Sequence, residues 1–236
     1  MNKLWKKFDV LTGKSYANMA GAGEGFEVWG KAFDVLLEII SEGREKNPNF
    51  ARELIDLDDS TDFEHDICGW LEDYLDELDM RQEDEKLIEV CRKLLSLFRW
   101  EEDSPSDLYF RISSGLRNLG KNEESLELCE DWYKKEPENI HAAAALIYAR
   151  MSMEDLNGAE ALVKEYISGD TKCSEDNDII FTAAEILYKA KGDKKAEKRM
   201  TEALEKYNRE LEEYYSGGED EDLNLYDIDE EEWPFG

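Results

Sequence analysis

The sequence predicts an all-α fold of antiparallel helix pairs, and three observations carry that prediction. Apolar residues recur at three- and four-residue spacing through most of the 236 positions. Sustained two-residue alternation, the mark of a half-buried strand, is absent. Glycines, prolines and short polar links cut the chain into pieces of ordinary helix length.

Composition sets the limits. A hydrophobic fraction of 41% with six Trp is enough for a sizeable core. The charge is the unusual property: 59 Asp plus Glu against 29 Lys plus Arg, a formal net charge of −30. Such a field repels nucleic-acid phosphates and anionic membranes and attracts basic proteins. Direct nucleic-acid binding and membrane association are therefore not expected. No stretch approaches the ~20 apolar residues that span a bilayer. Lys6, Lys7 and Asp9 interrupt what would have to be the apolar core of a signal peptide, so a cytoplasmic location is expected. Cys68, Cys91, Cys129 and Cys173 are widely spaced, with no CxxC pair, and read as reduced thiols packed on helices.

Residues 1–25 read as a Lys-rich piece ending in a flexible Gly-rich hinge, GAGEG. Residues 26–103 read as a helical region with one divergent hairpin. Trp29, Phe33, Leu36, Leu37 and Ile40 share one helix face, ended by Gly43 and Pro48. The segment FARELIDL follows, then an acidic turn at 58–61. Phe63, Ile67, Trp70, Leu71, Tyr74 and Leu78 make the next stripe. After a polar break at 81–84, Leu87, Val90, Cys91, Leu94, Leu95 and Phe98 make its antiparallel partner. Ser104-Pro105 reads as a helix start, with serine as cap and proline in the first turn.

From there to about residue 215 the chain repeats. Residues 106–139 form a 34-residue unit with Gly120 at the turn between two helices and Pro137 at the end of the second. Tyr109, Ile112 and Leu116 supply packing positions, and small Ser113 and Ser125 fall where the helices approach. A second unit starts at Ile140, with Leu146, Ile147, Ala159, Val163 and Tyr166 in matching places and Glu154 where the turn glycine would be. A third starts near Asn177, with Ala183, Ala184 and Leu187 on one helix, KGDKKA as turn, and Ala196, Met200 and Ala203 on the next. In length, breaks and placing of small residues, 106–209 resembles the tetratricopeptide repeat. Only the proline and the turn glycine are literal matches. The resemblance implies a right-handed superhelix of stacked pairs, TPR-like, whose inner wall is formed by the first helix of each. The alternative is an irregular helical bundle.

No chemistry assembles from the residues. His65 reads as an exposed helix histidine among acids, and His141 opens a helix without a nucleophile beside it. No phosphate loop, dinucleotide fingerprint or nucleophile elbow occurs, and GAGEG lacks a preceding strand. The stretch 220–231 puts Asp220, Asp222, Asn224 and Glu231 at calcium-loop places, but Leu225 stands where glycine is required. No catalytic residue, metal or cofactor is expected, and the chain does not read as an enzyme.

Binding is the remaining reading. The inner-wall positions that the resemblance implies are Phe110, Ser114 and Arg117, then Tyr148 and Met151, then Phe181, Glu185 and Tyr188. The Lys and Asn set with which some family members hold a terminal carboxylate is replaced here by Phe110 and Ser114. Acid concentrates in two places. Residues 53–85 hold one base, Arg81, and the tail 216–236 holds none. The tail interleaves Tyr226, Asp229, Glu231, Trp233 and Phe235, a pattern suited to docking on the chain's own groove or on a basic partner. The expected function is a protein–protein interaction module: adaptor, regulator or chaperone-like holder. The alternative is an acidic nucleic-acid mimic that inhibits a nucleic-acid-binding protein.

Overall fold

The computed structural model describes residues 2–217, and no strand occurs among them. They form eleven helices: α1 (Asn2–Met19), α2 (Glu27–Lys46), α3 (Asp56–Asp59), α4 (Ile67–Met80), α5 (Asp84–Leu97), α6 (Ser106–Asn118), α7 (Asn122–Lys135), α8 (Ile140–Ser152), α9 (Leu156–Tyr166), α10 (Asp178–Lys191) and α11 (Lys194–Gly217). None is long and apolar enough to cross a membrane. The chain divides into two compact units, Met1–Pro137 and Glu138–Gly236. The pair α6–α7 belongs to the first unit, where α6 packs along α5 as well as α7.

Four of the helix pairs turn by one device. Between α4 and α5, α6 and α7, α8 and α9, and α10 and α11, one residue takes positive φ: Gln82 (59°), Gly120 (72°), Glu154 (62°) and Gly192 (72°). The residue after it donates its N–H five residues back: Glu83 to Leu78, Lys121 to Leu116, Asp155 to Arg150, Asp193 to Tyr188, at 2.8–3.0 Å. This is the Schellman closure, which satisfies carbonyls left over at a helix end. In the last two turns the same Asp also caps the next helix. Asp155 Oδ1 accepts from Gly158 N at 2.9 Å, and Asp193 Oδ1 from Ala196 N at 3.0 Å. Gln82 and Gly120 stand 38 residues apart, Gly120 and Glu154 34, and Glu154 and Gly192 38.

The first unit is built on stacked aromatic rings. Trp29, Trp70 and Tyr74 lie 5.6–5.9 Å apart by centroid and within 21° of parallel, with Phe8 edge-on to Trp70 at 5.2 Å. All four are essentially unexposed, and rings of this size dominate the apolar burial of a core. Burial raises the Tyr74 phenol above its ordinary range, with Asp34 adding to it. Arg44 closes the bottom of this core. Its Nη2 donates to Ala51 O and Leu97 O, both at 2.7 Å, and its Nε to Phe50 O at 3.3 Å. Gly115 lets α6 approach α5: a Cβ there would come within 3.1 Å of Ile88.

Between α6 and α7 the close approach is polar. Ser113 and Ser125 are fully buried, their hydroxyls 3.0 Å apart, and Ser125 Oγ also donates to Ser113 O at 3.0 Å. The Cys129 thiol donates to Ser113 Oγ. In the second unit alanine does the same work: Ala142–Ala145, Ala159, Ala183 and Ala184 are all buried.

Several local expectations change. The Lys-rich opening is the helix α1, packed on α2. The GAGEG hinge is tied down, with Lys14 Nζ 2.5 Å from Glu24 Oε1 and Asn18 Nδ2 donating to Glu24 O. Phe63 is not on the α4 stripe. It precedes the helix, has φ of 59° and is 60% exposed. Ser104 does not cap α6: its hydroxyl meets Ser106 Oγ at 2.6 Å, and the helix start carries no side-chain cap.

Candidate functional site

The eight expected groove residues are shared between the two units. Phe110, Ser114 and Arg117 lie half-buried on α6, where Arg117 Nε donates to Ser113 O at 3.3 Å. Tyr148 and Met151 are half-buried on α8. On α10 the expectation needs correcting. Phe181 is 1% and Tyr188 8% exposed, so both are core residues of the second unit and neither ring is open to a partner. Burial, with Glu160 next, raises the Tyr188 phenol. Glu185 is half-buried and accepts from Thr201 of α11 at 2.5 Å. The tail candidates Tyr226, Asp229, Glu231, Trp233 and Phe235 lie outside the described residues.

The acidic run 53–85 resolves into two groups. One group fastens the fold. Asp58, 2% exposed, reaches across from α3 to accept Ile67 N at 2.6 Å and Cys68 N at 2.9 Å, capping α4 from outside its own helix. Glu53 accepts Glu101 N, and Asp84 accepts Asn118 Nδ2 at 2.9 Å. Glu77 holds Arg81 at 2.6 Å, and that guanidinium lies 4.6 Å from the Phe26 ring centre. Asp76 holds Arg111 at 2.7 Å. The second group, Asp59, Asp62, Glu64, Asp66, Glu72, Asp79, Glu83 and Glu85, is exposed.

Part of this second group surrounds a cleft that the sequence reading did not anticipate. Trp5 and Asp9 of α1 face the loop 59–65, enclosing about 580 Å³ lined also by Asp59, Asp62 and Glu64. At its side the His65 ring stacks on Trp5, centroids 4.5 Å apart and 6° from parallel, and its Nδ1 lies 2.6 Å from Asp9 Oδ1. The His65 side chain is 6% exposed and precedes α4, so it is not the exposed helix histidine expected. Fifty-six positions separate it from Asp9, and no spacing rule links them. The one available signal was the Trp5, Phe8 pair within the segment read as a Lys-rich opening.

The cleft hydroxyls are committed elsewhere. Ser60 Oγ donates to Leu57 O at 2.9 Å and Thr61 Oγ1 to Asp58 O at 3.1 Å. The Asp9–His65 contact therefore works as a clasp between α1 and the loop 59–65, leaving the rim acids, Lys6 and Phe63 as the exposed groups. Two residues of this loop, Asp62 and Phe63, and Asp66 just after it have positive φ, and Phe63 is exposed there.

Among the described residues, no group of three or more His, Cys, Asp or Glu is arranged to hold a metal ion. No family model, curated protein or solved structure matches the chain.

Proposed function

We propose that this chain is a protein–protein interaction module that receives a basic segment of another protein. The observation that carries the proposal is the loop 59–65. There an exposed aromatic, Phe63, lies between the exposed acids Asp62 and Glu64 in the chain, and those two acids with Asp59 and Asp9 line a cleft whose single basic lining residue is Lys6. An apolar anchor beside a predominantly acidic rim is the chemistry that recognises a basic segment with an apolar residue in it. The tetratricopeptide-like reading supports the same conclusion. Four helix pairs closed by one turn are a way of presenting faces to a partner, and the half-buried Phe110, Ser114, Arg117, Tyr148 and Met151 lie on first helices of such pairs.

The test uses the full chain with fluorescein-labelled peptides that alternate Lys or Arg with Leu or Phe, read by anisotropy at low and high salt. Binding that weakens with salt, and weakens again in the Asp59→Asn, Asp62→Asn, Glu64→Gln triple variant and in Phe63→Ser, is the expected result. Basic peptides that bind no better than acidic ones of the same pattern would overturn the proposal.

A further inference from the structure

A second cleft lies wholly in the first unit, beside the α6–α7 pair, with a volume of about 390 Å³. Tyr109 of α6 and Trp132 of α7 meet there with centroids 5.2 Å apart and planes 27° from parallel. Trp132 is 3% exposed, and its Nε1 finds no hydrogen-bond partner among the described residues. The aromatic pair is flanked by Glu124, Glu127, Asp131 and Glu136. The first three recur at positions i, i+3 and i+7, so they project from one face of α7. All three are exposed and form no ion pair among the described residues. Arg92 and Lys135 also line the cleft, so carboxylates outnumber bases there by two to one.

We infer that this cleft holds an arginine side chain of the basic partner. The inference rests on the reading of the chain as a receiver of basic segments and adds a second, chemically specific contact to it. A guanidinium is planar and weakly hydrated. It stacks on a Tyr or Trp face and donates sideways to carboxylates at the same time. An ammonium is a compact, strongly hydrated charge and gains less from the rings. The cleft offers both halves of the arginine match, the half-buried Tyr109 ring and the exposed carboxylates Glu124, Glu127 and Asp131 of α7, which form no ion pair among the described residues.

The experiment compares two labelled peptides, one with three arginines between glycines and one with three lysines, against the full chain. The wild-type chain should bind the arginine peptide several-fold more tightly. Glu127→Gln with Asp131→Asn, both exposed and in no side-chain hydrogen bond or ion pair among the described residues, should weaken arginine binding roughly tenfold. Tyr109→Leu should remove the arginine-over-lysine preference, a readout that general destabilisation would not move; far-UV circular dichroism checks its fold. If arginine binding is unchanged in the double variant but lost in the 59–64 triple variant, the cleft assignment is overturned and the interaction reading stands. Equal binding of both peptides also overturns the assignment. If neither peptide binds while the peptides that alternate Lys or Arg with Leu or Phe do, the cleft assignment is overturned and the interaction reading stands; if none of the basic peptides binds, the interaction reading itself is overturned.

Discussion

The turn of the α6–α7 pair allows the backbone term of a helix C-terminus to be measured alone. Gly120 has φ of 72°, and a Cβ built on it meets nothing within 4 Å, so Gly120→Ala introduces no clash. What remains is conformational. A left-handed backbone costs an L-residue roughly 1–2 kcal/mol, while alanine recovers roughly 0.4–1 kcal/mol by restricting the unfolded chain. The expected net effect is a loss of about 1 kcal/mol. Glu154 at the α8–α9 turn is the reverse experiment. It holds φ of 62° with an exposed side chain, so Glu154→Gly should stabilise by a similar amount. Urea unfolding followed at 222 nm reads both. With a slope of roughly 1–3 kcal/mol/M, the midpoint falls by about half a molar for Gly120→Ala and rises correspondingly for Glu154→Gly, with slopes unchanged. The two sites lie in different compact units, so each variant should move the transition of its own unit. If Gly120→Ala leaves its midpoint unchanged, or Glu154→Gly lowers its own, the common-turn reasoning is refuted.

Other outcomes follow from the same contacts. Asp58→Ala strips the acceptor from two backbone donors at the start of α4 and should cost about 2–4 kcal/mol, with Asp58→Asn costing less; a denaturation series that ranks them equal would remove the capping argument. The thiols should react slowly with Ellman's reagent in the folded protein. Burial pushes Cys91 up to about 12 and Cys173 to about 11, and raises Cys129 and Cys68, so Cys173, the most exposed of those with a smaller rise, should be labelled first. Fast labelling of Cys91 or Cys129 without unfolding would contradict that burial. Glu160 is held below the usual carboxylate range by its hydrogen bond to Lys164 and then by Lys191, which ties α9 to α10. A lowered folded value means its contribution is present above the unfolded carboxylate range and is lost as pH falls through the folded one. The Tm gap between wild type and Glu160→Gln should therefore close on acidification; a gap that widens in acid would reverse the assignment.

Much of the fold could be read from residue spacing. Helix-period stripes identify the buried faces of α2, α4 and α5 because burial of a helix depends on a pattern repeated within a single turn or two. The breaks at 81–84, at Gly120 and at 191–196 are legible because glycine and short polar runs end helices locally. Small residues at 113, 125, 159, 183 and 184 mark close approaches, and all five are buried. The candidate site was less legible. Phe181 and Tyr188 share the helical spacing of surface aromatics, and nothing in that spacing tells a groove from a core. Asp58 and Asp59 are adjacent and chemically identical, yet one is buried as a cap and the other exposed.

What the sequence determined by itself was local: that the chain is helical, where most helices end, and that acid gathers in residues 53–85. Only the tertiary structure decided which carboxylates are spent on the fold and which remain exposed. It also brought Asp9 and Trp5 to His65, and Tyr109 to Trp132. The physical reason is range. Helix propensity, capping and turn closure act over a few residues, whereas a cleft is made by side chains that become neighbours only after helices pack.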